Sequence, residues 1–237
     1  MEIIIGAAKI IFGFALIIGV HEFGHALAAW LAKVPIQKFS IGMGPGLKFK
    51  NVPIVNELIL SPIVIGGYVL VDMEEVEKKN FFQRLLFYSG GMLMNIITAA
   101  MLMTFIGGNF FHALIGFTWI WLAGWPMFIS ALFSGQMTAS ESVSGPVGIG
   151  QMMAGGGSAG GLTPYIWILA ILNVAIAMMN LLPLPPLDGG HILRLFSEKI
   201  IGKKAALVMY KGLMVVGIIF LVSLLFFATF MDVKKLL

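Results

Sequence analysis

The sequence predicts an all-α integral membrane protein with about four transmembrane helices, a small membrane-associated β-hairpin or sheet and an outer interfacial helix. Hydrophobic residues make up 59% of the chain and charged residues only 11%, whereas soluble domains carry about 25% charged residues. The mean hydropathy is accordingly +0.98. Several apolar runs also reach the length of about 20 residues that spans a bilayer. The chain is therefore predicted to be one membrane domain, with the lipid bilayer as a partner and no nucleic acid.

Apolar runs and basic loops together predict the topology. The runs place the transmembrane helices at about residues 3–32, 85–106, 164–182 and 206–230. Seven Lys and Arg residues lie in the loop 33–84 and five in the loop 190–211, whereas residues 107–163 contain none. Basic loops stay in the cytoplasm. We therefore expect a multi-pass protein of the inner (cytoplasmic) membrane with both termini outside.

Residues 113–133 are apolar enough for a fifth span, but a crossing there would turn the second basic loop outward. The segment contains Trp119, Trp121 and Trp125, followed by Pro126. Tryptophans concentrate at membrane interfaces, and proline interrupts helices. We therefore predict an interfacial segment, followed by a flexible outer connector over residues 134–163 that is rich in Ser and Gly.

Residues 39–72 differ from the rest of the chain. They contain glycine-punctuated runs rich in Ile, Val and Tyr, which favour strands over helices. We expect a small β-hairpin or sheet at the cytoplasmic face, partly dipping into the membrane. It could be a structural plug, or an edge that binds an extended peptide by strand addition.

The motif HEFGH at residues 21–25 indicates a metal site within the first span. In a helix, HExxH places His21 and His25 on one face, where both can bind Zn²⁺ while Glu22 activates water. The chain has no cysteine, so every protein ligand must be His, Asp or Glu. Counting 1.5 Å per residue from residue 3 puts His21 roughly 27 Å down the span, toward its cytoplasmic end.

A third ligand is expected from the end of the third span, which returns to the same depth. There, residues 180–190 contain three prolines, two glycines and Asp188. Ionisable residues at membrane depth are costly and usually functional. Asp188 is therefore the predicted third ligand. Two alternatives remain open: Asp188 could cap the following helix, and His191 could be the ligand instead.

The motifs HEFGH, LPLPPLDGG and GMLMN (residues 91–95), in this order, resemble the site-2 protease family of intramembrane zinc metalloproteases. Weaker similarity extends to Gly66-Gly67-Tyr68 and to SGPV at residues 144–147. The chain is most similar to bacterial members that process anti-sigma factors. The resemblance implies that His21, His25 and Asp188 bind zinc and that Glu22 is the general base.

The resemblance also suggests substrate-binding positions. Asn180, Pro183 and Pro185 match motif positions near the substrate path, and an amide at Asn180 could stabilise an oxyanion. The other candidates are Asn95, Gly66 and Gly67. Asn95 matches the family's GxxxN position, although the proline usual after its glycine is Met92 here.

The implied function is regulated intramembrane proteolysis of single-span substrates, such as anti-sigma factors or signal-peptide-like helices. Bacterial relatives usually carry periplasmic PDZ domains between the second and third spans, but here residues 105–108 lead directly into the interfacial segment. We therefore predict a single protease domain over residues 1–237, without PDZ-based filtering of substrates. The alternatives are an ion or metal transporter that uses the His/Glu/Asp cluster as a pathway and a catalytically silent helix-binding module.

Overall fold

The computed structural model describes residues 2–134, 145–155 and 161–236, and it confirms the predicted fold class. The helices are α1 (Glu2–Leu31), α2 (Met73–Glu77), α3 (Phe81–Phe105), α4 (Phe110–Phe133), α5 (Pro146–Gly155), α6 (Leu162–Leu181), α7 (Asp188–Ile201) and α8 (Lys203–Leu236). Within the described ranges, five helices are long and apolar enough to cross a membrane. They are α1, α3, α4, α6 and α8, so this is a multi-pass membrane protein.

The predicted sheet is present and has four strands. They are β1 (Ile36–Met43), β2 (Leu47–Val52), β3 (Val55–Leu60) and β4 (Ile63–Val71). Their spatial order is β2-β3-β1-β4, with β1 parallel to β3 and the other pairs antiparallel. The strand β4 therefore forms one edge of the sheet. Ile41 of β1 reaches Gly19 of α1, which places the sheet beside the HEFGH turn.

The helices α1 and α3 pack backbone against backbone. A Cβ atom added to Gly90 would lie 2.5 Å from the carbonyl oxygen of Gly24, and a Cβ on Gly24 would collide with the Gly90 carbonyl. Larger residues would hold the two helices apart. The start of α3 is fixed by a capping box, in which the amide of Gln83 donates to Asn80 Oδ1 at 2.9 Å and the amide of Asn80 donates to Gln83 Oε1.

The helix α4 differs from the interfacial segment that the sequence predicts for residues 113–133. It is continuous through Pro126 and follows α6 toward that helix's C-terminal end. The indole of Trp121 donates to the Ala177 carbonyl at 3.1 Å, and the indole of Trp125 donates to the Met178 carbonyl at 2.7 Å. Carbonyls near a helix end lack intrahelical partners. Met178 is among the last four residues of α6, and the two indoles thus join α4 to carbonyl groups near the end of α6, which the interfacial interpretation did not anticipate.

The start of α6 nevertheless lies at the end of the bundle that is opposite to HEFGH. The hydroxyl of Tyr165 donates to the Lys9 carbonyl at 2.6 Å, and Lys9 precedes His21 by about 18 Å of helix. At the same end, Asp232 of α8 accepts the amides of Gly145 at 3.1 Å and Gly148 at 2.8 Å. The third span of the prediction, α6, therefore still ends at the level of HEFGH. Half of the predicted connector, at residues 135–144 and 156–160 and including Ser144, lies outside the described residues, whereas residues 146–155 within it form the helix α5 rather than a flexible segment.

The helix α7, which begins at Asp188, is joined to α3 by a buried ion pair and to α2 by a partly exposed one. Arg84 Nη1 lies 2.8 Å from Glu198 Oε2, and Arg194 Nε lies 3.0 Å from Glu198 Oε1. Arg194 also pairs with Glu77. The position of Asp188 is thus tied to the helix that packs against the histidines.

Candidate metal centre

The predicted ligands converge at one point. His21 and His25 are one turn apart on α1, and their Nε2 atoms are 3.4 Å apart. Asp188 Oδ2 lies 3.2 Å from His21 Nε2 and 3.3 Å from His25 Nε2. Among the described residues, these three form the group able to hold a metal ion. The structure thus brings together HEFGH and Asp188, which are far apart in the sequence.

Hydrogen bonds at the far side of each ring orient the imidazoles. His25 Nδ1 is 2.7 Å from the Phe87 carbonyl oxygen, and His21 Nδ1 is 2.7 Å from Asn95 Oδ1. A carbonyl oxygen can only accept, so both Nδ1 atoms carry the hydrogen, and in the neutral rings both Nε2 atoms keep their lone pairs. This is the arrangement of metal-ligating histidines, in which the second nitrogen donates to a carbonyl or carboxylate.

The residues fit a zinc ion. Two nitrogen lone pairs and a carboxylate oxygen face one another, and Asp188 Oδ2 is buried without a hydrogen-bond partner. Such an arrangement is repulsive unless a cation lies between the three atoms. A tetrahedral site with bonds of about 2.0–2.1 Å places neighbouring ligand atoms about 3.3 Å apart, which matches the three observed separations of 3.2, 3.3 and 3.4 Å.

Gly91 of α3 leaves room for the two imidazole rings. A Cβ atom there would lie 2.5 Å from His25 Nε2 and 2.6 Å from His21 Cε1. In the sequence, Gly91 stands out only as the first residue of GMLMN, which does not reveal this role. Gly90, Phe87 and their contacts with α1 were missed as well, because neither a backbone carbonyl nor a close helix approach has a sequence signature of its own.

The break between α6 and α7 positions Asp188. Gly189 packs its Cα against the carbonyls of Leu181 and Leu182, and Gly190 packs against Pro185, so a Cβ at either position would collide with backbone. Gly217 of α8 closes the same turn from outside, since a Cβ there would collide with the Pro185 carbonyl oxygen. The N-cap of α7 is Leu187, without a side-chain capping bond. Asp188 is therefore not the helix cap that the sequence left open as an alternative.

Glu22 lies beside the ligands in the same cavity. The cavity has a volume of about 370 Å³ and is lined by α1, β4, α3 and the α6–α7 turn. Gly67 of β4 allows the close approach of the sheet, because its Cβ would lie 2.9 Å from Glu22 Cγ. The backbone of Val69 interacts with the Glu22 carboxylate. A carboxylate next to a metal centre in a cavity is the arrangement needed by a general base.

The candidate substrate-binding residues are found in different places. Asn180 and Gly67 line the cavity, and Asn180 Nδ2 donates to the Ile176 carbonyl at 3.0 Å, which leaves its second N–H for another acceptor. Gly66 instead faces Met43.

Three other candidates do not line the cavity. Pro183 is exposed but does not line the cavity, and Pro185 is fully buried. Asn95 is also fully buried and binds His21. Its position does not support direct contact with substrate, because every approach to it is filled by packed helices.

His191 lines the cavity but does not belong to the ligand group. Its ring stacks on Tyr88 with centroids 5.0 Å apart, and its Nε2 lies 3.1 Å from the Tyr210 hydroxyl. The alternative in which His191 replaces Asp188 as third ligand is therefore not supported.

Comparison with known proteins agrees with this geometry. The model of Peptidase family M50 matches residues 9–224. The chain belongs to this family. The matched range includes both histidines, Glu22 and Asp188, so the M50 relationship covers the whole metal centre.

Individual relatives are described as a "Putative zinc metalloprotease" or as a protease. A "Putative zinc metalloprotease" of Borreliella burgdorferi is 37% identical over an alignment of 111 positions that covers 38% of this chain and 25% of the relative. A similarly described protein of Agrobacterium fabrum is 32% identical over 110 residues, 46% of this chain and 29% of the relative. Protease RseP of Photorhabdus luminescens is 38% identical over 95 residues, 40% of this chain and 42% of the relative. The alignments thus cover less than half of each of these relatives.

Replacing Gly91 with alanine should weaken metal binding in this M50 protein. The new Cβ would occupy the space of His25 Nε2 and His21 Cε1, so the rings must move apart. We expect the zinc affinity to fall about 10- to 100-fold, as when other groups that orient metal ligands are changed. Chelator competition on purified protein measures the effect. Gly116→Ala is the matched control, since its Cβ meets nothing within 4 Å. Equal zinc affinities of the two variants would contradict the assignment.

Proposed function

We propose that the chain is an intramembrane zinc endopeptidase that hydrolyses a peptide bond in a membrane-spanning substrate. One observation carries the proposal: Glu22 shares a cavity with three converging metal ligands, and Glu22 and both histidines lie on α1, an apolar helix long enough to cross a bilayer. The family relationship and the relatives' descriptions support the same chemistry.

Each side chain of the site has a separate role in the proposed reaction. A zinc ion held by His21, His25 and Asp188 would supply a Lewis acid that polarises a peptide carbonyl and acidifies water. Glu22 accepts the proton of the attacking water and delivers it to the leaving amine. Asn180 keeps one amide N–H unused by Ile176, and we assign it to the developing oxyanion.

The substrate must be extended at the scissile bond, because a helical peptide bond is shielded by its own hydrogen bonds. The strand β4 offers a partner for the extended form. It is an edge of the sheet, and its residues from Gly67 to Val71 line the cavity with the metal ligands. An edge strand presents unpaired N–H and C=O groups that can bind a peptide as an additional strand. We therefore propose that β4 aligns the substrate across the centre.

The basic loops support a centre near the cytoplasmic face, with both termini outside. The loops 33–84 and 190–211 hold most Lys and Arg residues, and both join the bundle at the end where the ligands converge. By the positive-inside rule this end is cytoplasmic. The substrates would then be cut toward the cytoplasmic end of their spans.

A transporter that uses the same ligands would need a polar path across the bundle. Asn95 binds His21 and the Ile17 carbonyl on the α3 side of the ligands, and Ile17, Met92 and Asn95 are all at most 2% exposed. The geometry therefore favours hydrolysis within a one-sided cavity over transport.

Replacing Glu22 with glutamine should abolish cleavage and preserve metal binding. The amide cannot accept the proton of water, so we expect the cleavage rate of a transmembrane peptide to fall at least about 100-fold, with about one zinc per chain retained. Mass spectrometry of the products and metal analysis measure the two quantities. Glu75→Gln, on the exposed face of α2, is the control that keeps its activity. Cleavage by Glu22→Gln at the control rate would overturn the proposal, and zinc flux into proteoliposomes without cleavage would favour the transporter.

Strand addition predicts selective cross-linking to β4. The chain has no cysteine of its own, so single cysteines are clean probes. In the Glu22→Gln background, a cysteine at Leu70 on β4 should form a disulfide with a cysteine placed within three residues of the substrate's scissile bond. Phe49 on β2, at the far edge of the sheet, is also exposed and serves as the control. Equal cross-linking at both positions would argue against β4 as the substrate strand.

The topology predicts opposite labelling of two exposed positions. A cysteine at Asn109, between α3 and α4, should react with a membrane-impermeant maleimide in intact spheroplasts. A cysteine at Lys50, on β2, should react only in inverted vesicles, because it lies in the first basic loop. The reverse pattern would place the centre at the outer face.

A further inference from the structure

Two asparagines are buried side by side between α3 and α6. Asn95 and Asn173 are both 0% exposed, and Asn95 Nδ2 donates to Asn173 Oδ1 at 2.7 Å. An amide in an apolar bundle is costly unless its groups are hydrogen-bonded. Apolar side chains would fill the same positions at lower cost, so the pair needs an explanation beyond packing.

The hydrogen bonds of the pair run in one direction. Asn95 uses its second N–H on the Ile17 carbonyl at 3.2 Å, so both of its donors are occupied. Its Oδ1 is left to accept from His21 Nδ1 at 2.7 Å. In the flipped orientation, the Asn95 oxygen would face two other oxygens and its NH₂ would face His21.

Asn173 is in turn oriented by the backbone. Its Nδ2 donates to the Leu169 carbonyl at 2.8 Å, which can only accept. Its Oδ1 must therefore point to Asn95. His21 thus donates to Asn95, Asn95 donates to Asn173, and Asn173 donates to the Leu169 carbonyl. Both amides are fully buried, so neither is in contact with bulk water.

We infer that Asn173 is a positioning residue for the metal centre: it holds Asn95 in the orientation that accepts the Nδ1 hydrogen of His21, and so keeps the Nε2 lone pair of His21 directed at the metal. Asn173 acts through Asn95 and touches neither metal nor substrate. The inference rests on the proposed zinc site.

The second histidine does not depend on this chain of hydrogen bonds. His25 Nδ1 meets the Phe87 backbone carbonyl directly at 2.7 Å. Loss of Asn173 should therefore misorient one ligand of three. A zinc site with one misdirected ligand is weakened and distorted, but it is not abolished.

The test compares Asn173→Leu with Val174→Ala. Val174 is the buried neighbour of Asn173 on α6 and packs against α3, so its truncation loosens the same interface without touching the hydrogen bonds. For Asn173→Leu we expect the zinc dissociation constant, measured by chelator competition, to rise about 10- to 100-fold. The visible spectrum of the Co²⁺-substituted protein should also change. Val174→Ala should lower the melting temperature and leave zinc affinity and spectrum unchanged.

A double variant tests whether Asn173 acts through Asn95. Asn95→Leu should weaken zinc binding at least as much as Asn173→Leu, and the double variant should bind zinc no more weakly than Asn95→Leu alone, because residues acting in series are not additive. If Asn173→Leu does not fold, Asn173→Ala takes its place in the same comparison.

The outcomes separate the inference from the proposed function, because zinc binding is measured without peptide. Wild-type zinc affinity and spectrum in Asn173→Leu would overturn the inference alone, as would additive effects in the double variant. A wild-type protein without zinc affinity would overturn both. Weakened zinc binding in Asn173→Leu supports the inference even if no cleaved peptide is found.

Discussion

The close approach of α1 and α3 is the constraint on which the rest of the structure depends. Gly24 and Gly90 allow the two backbones to touch, and Gly91 leaves the space that the imidazole rings occupy. Only at this separation can α3 supply both ring partners, the Phe87 carbonyl and the Asn95 amide. The glycine in HEFGH is therefore as much a part of the centre as its histidines.

The third ligand reaches the same point because the chain between α6 and α7 cannot remain helical. Prolines interrupt the helix, while Gly189 and Gly190 let the turn fold back on itself and Gly217 lets α8 cover it. The ion pair of Glu198 with Arg84 then holds α7 against α3. The sheet completes the arrangement from the other side, with Gly67 seated on Glu22. Small residues thus appear wherever backbone must approach the reacting groups.

The fold class, the sheet and the three ligands could be predicted from sequence, because hydropathy, strand composition and HExxH spacing are local signals. The position of α4 could not, since Trp121 and Trp125 suit an interface as well as they suit the carbonyls at the end of α6. The role of Asn95 was also missed. Its motif position suggested a role in substrate binding. Its hydrogen bond to His21 depends on the close approach of α1 and α3, which only the three-dimensional structure reveals.

The central claim is that two histidines of α1 and the aspartate after α6 hold one zinc ion. X-ray absorption spectroscopy at the zinc edge tests it most directly, on wild-type protein and on Asp188→Asn. The wild type should show two imidazoles at about 2.0–2.1 Å with oxygen at about 2.0–2.2 Å in the remaining shell, and the variant should lose occupancy or the oxygen contribution of Asp188. A shell of three imidazoles, or a spectrum unchanged by Asp188→Asn, would contradict the account.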